Sequence, residues 1–233
     1  MAGKLNIGAL EPTRSPSVTD LVYEHLYKQV VETDLPPGAK LSEVEVARQL
    51  GVSRQPVRDA FYRLSQQGFL LIRPQRATLV TPISIEAVMQ AHFIRTSLEM
   101  ATVRAAVEMG PECNTKVLDE MLEQQREAYD AGDKALFHQL DDEFHKIISE
   151  LSGHGYTWSL IREHKAHMDR VRFLSLSFTA NNALEEHEGI VKAIKENDVD
   201  AAVEAMRFHL SRIAGIVERI HTTHPGFFET DEK

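Results

Sequence analysis

Between Val18 and Val80 the apolar positions form three short helical stripes followed by two brief extended runs. In Val18–Glu32, residues Leu21, Val22, Leu26, Val30 and Val31 recur at helical spacing. The segment stops at the breaker cluster Asp34-Leu35-Pro36-Pro37-Gly38. Ser42 with Glu45 three residues on has the form of a capping box, so a second helix is predicted from Glu43, with Val46, Ala47 and Leu50 as its stripe. Gly51 ends it by accepting a left-handed conformation. Ser53 then serves as N-cap for a helix from Arg54 to about Gln67, with Val57, Ala60, Phe61 and Leu64 facing inward. Pro56 fits because the first turn has no backbone donors to lose. After Gly68, Phe69–Ile72 and Thr78–Val80 read as strands around the polar tip Arg73-Pro74-Gln75-Arg76. Three helices and a β-wing make a winged helix-turn-helix.

From Ser84 onward the pattern is helical throughout. Ser84 caps a helix to about Met109, stopped by Gly110-Pro111, and the next runs from about Glu112 to Asp130. Asp133 caps a third, ending near Ser152-Gly153. A fourth spans Tyr156–Ser177, a fifth runs from Asn181 or Asn182 to Glu196, and Asp198 caps a sixth reaching His221. The expected fold class is therefore mainly α: the winged module, then an antiparallel bundle of six or seven helices. The expected organisation is a flexible tail over residues 1–16, the winged module over 17–81, the bundle over 83–222 and a C-terminal tail over 223–233. Trp158, Phe93 and Phe173 are read as core.

Charge sharpens this division. The chain carries a formal −9, yet residues 1–80 hold ten Lys and Arg against eight Asp and Glu, a net of +2, which leaves −11 for the remainder. From Arg48 to Arg76, six arginines face a single acid, Asp59. Local cations suffice to release counterions from a polyanion, so an acidic chain with this patch can bind DNA. Cys113 is the sole cysteine, which excludes a disulfide framework and a cysteine metal site. No apolar run approaches the roughly 20 residues of a membrane span, and no signal peptide is seen. A cytoplasmic protein is expected.

On the second helix of the pair, Arg54, Gln55 and Arg58 point outward at the N-terminal end, which such motifs present to the major groove. Cationic and amide side chains there can read base edges or hold phosphates. The segment LPPGAKLSEVEVARQLGVSRQPVRDAFYRLSQQGFL resembles the DNA-binding domain of the GntR family of bacterial transcription regulators, over about 65 residues. The resemblance implies DNA contact by Arg54, Gln55 and Arg58, with Ser53 capping and touching phosphate and Arg73 and Arg76 serving the wing. Val44 stands where many members have arginine, which leaves Arg48 as the contact from the first helix. Ala77 replaces the usual wing glycine.

In the bundle, Asp141 and His145 are four apart and share a helix face, while His187 and His209 fall on later helices. One carboxylate and three imidazoles suit Zn²⁺, Ni²⁺, Mn²⁺ or Fe²⁺. Spacing alone equally allows a surface pair and two half-buried histidines. The runs LDDEFHKIISELSG, EEHEGIVKAI and AAVEAMRFHL resemble the FadR-type C-terminal domain, called FCD, over about Ile83–Ile220. That resemblance implies a divalent metal held by Asp141, His145, His187 and His209, with Asp142 as a weaker alternative. It also implies an effector pocket in which Arg95, and Arg172 or Arg170, pair with a small carboxylate metabolite. Arg95 could equally pair with Glu99 one turn on.

The function expected is a ligand-responsive transcription regulator: a homodimer on a near-palindromic double-stranded operator, a repressor released by a small organic acid. Two other readings are a metal-dependent bundle enzyme and a regulator whose metal is purely structural. Against an enzyme, the chain has no nucleophile elbow or phosphate-binding glycine loop, and a di-iron bundle needs several Glu-x-x-His motifs where Glu218–His221 alone has that spacing.

Overall fold

The computed structural model describes residues 16–73, 76–110 and 113–230. The expected tail over 1–16, Pro74 and Gln75 of the wing tip, and the Pro111 and Glu112 helix boundary fall wholly or mostly outside them. Helix α1 (Val18–Val31) starts at a capping box: Ser17 Oγ accepts from Asp20 N at 3.1 Å, and the Asp20 carboxylate accepts from Ser17 N. Its inward face is Val22, Tyr23, Leu26, Val30 and Val31. Leu21 is 57% exposed rather than core, and Tyr23 takes its place, with Oη donating to Gln67 Oε1 at 2.5 Å.

A short strand β1 (Lys40–Leu41) precedes α2 (Glu43–Leu50), a turn at Gly51 with φ 65°, and α3 (Arg54–Gln66). Strands β2 (Leu70–Leu71) and β3 (Thr78–Val80) complete an antiparallel sheet ordered β1-β3-β2, Lys40 opposite Leu79 and Leu70 opposite Val80. β1 carries too few residues to show periodicity in sequence, and its pairing with β3 alone defines it. The Ser42–Glu45 box does not form. Ser42 has extended N-cap geometry without a side-chain bond, because Glu45 turns to Arg48 and Gln49.

The bundle comprises α4 (Ile85–Glu108), α5 (Lys116–Asp130), α6 (Lys134–Leu151), α7 (Tyr156–His164), α8 (Ala166–Lys195), α9 (Val199–Ser211) and α10 (Ile213–Thr223). Ser84, Asp133 and Asp198 cap α4, α6 and α9 through bonds of 3.3, 2.9 and 2.9 Å. Two boundaries differ from the sequence reading. The break expected near 177–181 is absent: Asn181 lies within α8, its amide donating to Glu185 Oε1 one turn on at 2.7 Å rather than capping. The interruption instead falls at Lys165, whose ammonium is pulled inward to Asp142 and Asp169. The expected sixth helix is divided at Arg212, whose Nε donates to Glu186 Oε1 at 2.8 Å.

Three apolar cores result. One fills the winged module and one the bundle. A third gathers Ile83, Val88, Met168, Val171 and Val217 around Phe228. Ile83 N donates to Phe227 O at 2.7 Å and Glu229 N to Ile83 O at 3.0 Å, so residues 227–229 pack as an added strand-like segment. Phe93, read as core, is 73% exposed because α4 buries its opposite face through Val88, Ala91, Arg95 and Glu99. Replacing Phe228 with alanine is expected to remove about 3 kcal/mol of stability, as for other buried phenylalanines. The urea midpoint of the full chain measures it, and an unchanged midpoint would mean that the segment does not pack.

Candidate DNA-binding surface and candidate metal centre

Arg54, Gln55 and Arg58 line the exposed N-terminal end of α3, whose inward face is pinned by Val57, Ala60, Phe61 and Leu64. Ser53 has N-cap geometry, but its hydroxyl makes no capping bond. Gln55 Nε2 donates to Asp59 Oδ1 at 2.8 Å. Glu43, at the start of α2, lies 3.2 Å from Arg58 Nη2 and 3.6 Å from Arg54 Nη2. No sequence signal pointed to Glu43, since its role depends on how α2 crosses α3. Arg48 is exposed and bonded to Glu45, whose carboxyl is lowered to about 2 by Arg48 and Gln49. Arg73 and Arg76 are exposed on either side of the wing tip.

Within the bundle, α6 brings Asp141 and His145 together with His187 of α8 and His209 of α9, with one donor atom from each within 4.8 Å of the others. Every ring is held from behind. His187 Nδ1 lies 2.8 Å from Gln125 Oε1, and that amide is oriented by donation from Gln125 Nε2 to Leu140 O at 3.1 Å. His209 Nδ1 lies 2.9 Å from Glu186 Oε2, and His145 Nδ1 lies 2.5 Å from Glu99 Oε2. Oxygens of this kind only accept, so the Nδ1 atoms of His187 and His209 carry the proton and their Nε2 atoms keep their lone pairs. The Nε2 atoms of His145 and His187 are buried without hydrogen-bond partners. Phe144 stacks on His187 at 4.1 Å and fixes its plane.

Burial keeps these rings neutral. His187 is pushed well below the usual histidine range by burial and by the neighbouring His209 and His145, and His209 falls to about 4, burial outweighing Glu186. Burial opposes ionisation of Glu99, but Arg95 and His145 hold its carboxyl well below its ordinary value. Asp141 completes the set, with Oδ1 3.7 Å from His187 Nε2 and Oδ2 3.9 Å from His145 Nε2. Two orphaned imidazole nitrogens beside a carboxylate fit a divalent cation. Asp142, the weaker alternative, turns away to Lys165 and Arg172.

Asp141 and His209 of the cluster line a cavity of about 480 Å³, together with His92, Arg95, Arg172 and Ser175 among others. Arg95 is 4% exposed; its Nε donates to Glu99 Oε1 at 2.5 Å, while its Nη2 is buried and unpartnered. Arg172 bonds Asp141 through Nη2 and Asp142 through Nη1 at 2.8 Å. Arg170 faces the other way, with Nη1 donating to Thr81 O at 2.6 Å, so it does not line the cavity. Trp158 is buried, whereas Phe173 is half-buried between the two main cores. Glu99, Gln125 and Glu186 were not singled out from sequence as ring supports. Only the Arg95–Glu99 spacing hinted at one of them.

A winged helix-turn-helix joined to a helical bundle, with cations at the exposed end of its second helix, defines a DNA-binding transcriptional regulator. Residues 19–80 match the gntR family of bacterial regulatory proteins and residues 89–212 match the FCD domain. The chain belongs to the GntR family, in the branch carrying an FCD domain. It is 35% identical to the HTH-type transcriptional repressor RspR of Escherichia coli (strain K12) over 224 residues, spanning 95% of this chain and 97% of that protein. It is 28% identical to a probable D-xylose utilization operon transcriptional repressor of Paenarthrobacter nicotinovorans, spanning 84% and 86%. The solved structure of McbR/YncC from E. coli superposes with a TM-score of 0.75 at 25% identity, over 88% and 99%. These relatives are transcriptional regulators, not enzymes. Among the described residues no helix is long and apolar enough to cross a membrane.

His138, beside this centre, is buried with Nε2 unpartnered, and burial pushes it down to about 3, with Asp142 opposing and Arg172 assisting. Its depressed value costs nothing above the unfolded value near 6.5. Stability is lost as pH falls from 6.5 toward 3, because only the unfolded chain then binds the proton. Between pH 7.5 and pH 5 the His138→Gln variant should therefore lose about 2 kcal/mol less stability than the wild type. Urea titrations at both pH values test this; parallel losses in the two proteins would contradict it.

Proposed function

We propose that this regulator is a ligand-responsive repressor of the FadR type, binding a near-palindromic operator as a homodimer in the cytoplasm and released by a small organic acid. The carrying observation is that three back-supported imidazoles gather at Asp141, and that Asp141 and His209 line a cavity that Arg95 and Arg172 also line. Asp141, His145, His187 and His209 would hold the divalent cation, of the Zn, Ni, Mn or Fe group, and the cation would supply a Lewis-acidic pole for a carboxylate. Arg95 offers its unpartnered Nη2 to the same anion. Arg172 reaches it by giving up part of its hold on Asp141 and Asp142.

At the other end of the chain, Arg54, Gln55 and Arg58 meet base edges and phosphates, with Ser53 free to bond phosphate and Arg48, Arg73 and Arg76 flanking. A two-fold dimer sets two such helices about 34 Å apart, one helical turn of DNA. The exposed stripe Ile85, Met89 and Phe93 on α4, one residue per turn, supports a second copy as its cover.

Two measurements test this. Arg54→Ala and Arg58→Ala should each weaken operator binding by about 1–3 kcal/mol if they read bases, or reduce the salt slope by about one if they hold phosphate. Unchanged gel shifts at every salt concentration would remove the recognition helix from the interface. Purified protein should carry about one divalent ion per chain, and Gln125→Ala should weaken its affinity by about 10- to 100-fold. Metal analysis showing none, after loading and desalting, would leave the four ligands as a buried polar cluster.

A further inference from the structure

The first two turns of α8 bury more charge than the cavity needs. Lys165 and Asp169 are fully buried. Lys165 Nζ lies 2.6 Å from carboxylate oxygens of both Asp142 and Asp169. Arg172 bridges Asp141, Asp142 and Asp169, the last at 3.3 Å. Both cations use Oδ1 of Asp169; its Oδ2 accepts from Tyr27 Oη at 2.7 Å. Tyr27 belongs to α1, and its ring stands edge-on to Phe69, 5.2 Å away, between α3 and β2. A continuous run of direct contacts thus joins Asp141 to the helix on which α3 packs.

We propose that Asp142, Lys165 and Asp169 couple the seating of the winged module, through Tyr27, to the way Arg172 is shared among the carboxylates around it. The proposal rests on the reading of Asp141 as a metal ligand. Buried charges have to stay matched, so Arg172 cannot leave one carboxylate without loading another. With Asp141 engaged by a cation, Arg172 is left to Asp142 and Asp169, and the anchor under Tyr27 tightens. With a carboxylate in the cavity, Arg172 is drawn off, Lys165 alone serves two carboxylates, and the anchor loosens. The two signals act on the winged module with opposite sign.

A second seam stays fixed while the first changes. Arg170 holds Thr81 O, and Ser84 N donates to His167 Nδ1 at 3.1 Å, neither involving Asp141. The module therefore has one constant attachment and one that follows Arg172. Tyr27 is a positioning residue in this scheme and touches neither DNA nor ligand.

Hydrogen exchange on the full chain, with and without one equivalent of ZnCl₂, tests it in the wild type and in Tyr27→Phe, which deletes only the hydroxyl. Zinc should slow exchange around residues 141–145 and 187–209 in both proteins. In the wild type it should also slow residues 22–31 by about threefold or more, and in Tyr27→Phe that second effect should largely vanish. A wild type slowed in the bundle but not in α1 overturns the coupling while leaving the metal reading intact. So does a full α1 response in Tyr27→Phe. Absence of any bundle response sinks the metal reading, and the coupling with it. Should Tyr27→Phe not fold, Asp169→Asn read against the same segments gives the same decision.

Discussion

Charge taken out of water must be matched, and that requirement governs how the two halves of this protein meet. Lys165, Asp169 and Arg170 are fully buried within six residues. Removing one partner from such a pairing costs about 3–5 kcal/mol, because the other is left stranded. The winged core and the bundle core share few apolar residues, Ala166 and Phe173 being the points where α8 touches the former. Directional contacts make up the rest: Tyr27 to Asp169, Arg170 to Thr81 O and across the Phe69 ring at 5.6 Å. A polar seam of this kind fixes an orientation, and it can be reset by moving charge nearby. An apolar seam of similar size would answer only to wholesale separation.

The same helix carries both the seam and a histidine of the candidate metal centre. Asp169 and His187 lie eighteen residues apart on the unbroken α8, on the order of 27 Å along its axis. The supports of the three rings come from three helices: Glu99 of α4 behind His145, Gln125 of α5 behind His187 and Glu186 of α8 behind His209. Gln125 and Glu186 accept from the Nδ1 atoms of His187 and His209 and Glu99 lies against that of His145, while the Nε2 atoms of His145 and His187 are buried without hydrogen-bond partners. Three imidazoles crowded this way, with centroids 4.6–5.3 Å apart, would be poor company if protonated. Burial resolves that by keeping them neutral, the state in which nitrogen can act as a ligand.

The winged module was legible because its signals are local. Gly51 and Gly68 adopt the positive φ that their helix ends require, and the stripe Val57, Ala60, Phe61 and Leu64 is wholly buried. The capping box at Ser42 was misread because Glu45 has competing partners within its own helix, Arg48 and Gln49, that a motif search does not weigh. Helix α8 was split because an asparagine pair resembles a cap, whereas in an isolated helix face it is merely tolerated. The grouping of Asp141, His145, His187 and His209 followed from register and resemblance, and the four do lie together. Glu99, Gln125 and Glu186 come from residues 46, 62 and 23 positions away in sequence from their rings, so no spacing rule exposes them.

A count of ionised groups around the cavity bears on what it holds. Glu99, Asp141, Asp142, Asp169 and Glu186 stand against Arg95, Lys165, Arg172, Arg212 and Arg219 in and behind the cavity wall, five negative charges against five positive, with the buried imidazoles neutral. A divalent cation at Asp141 would leave two positive charges in excess. A carboxylate beside it would offset one of them. In a low-dielectric interior unmatched charge is costly, so a cation bound there would favour an anion beside it. Arg95, with Nη2 unpartnered, and Arg172, already divided among three carboxylates, are the groups that adjust as this balance shifts. Direct attraction between a bound cation and an organic acid would favour joint occupancy, while their opposite effects on the winged module would oppose it, and the balance of the two would set the coupling.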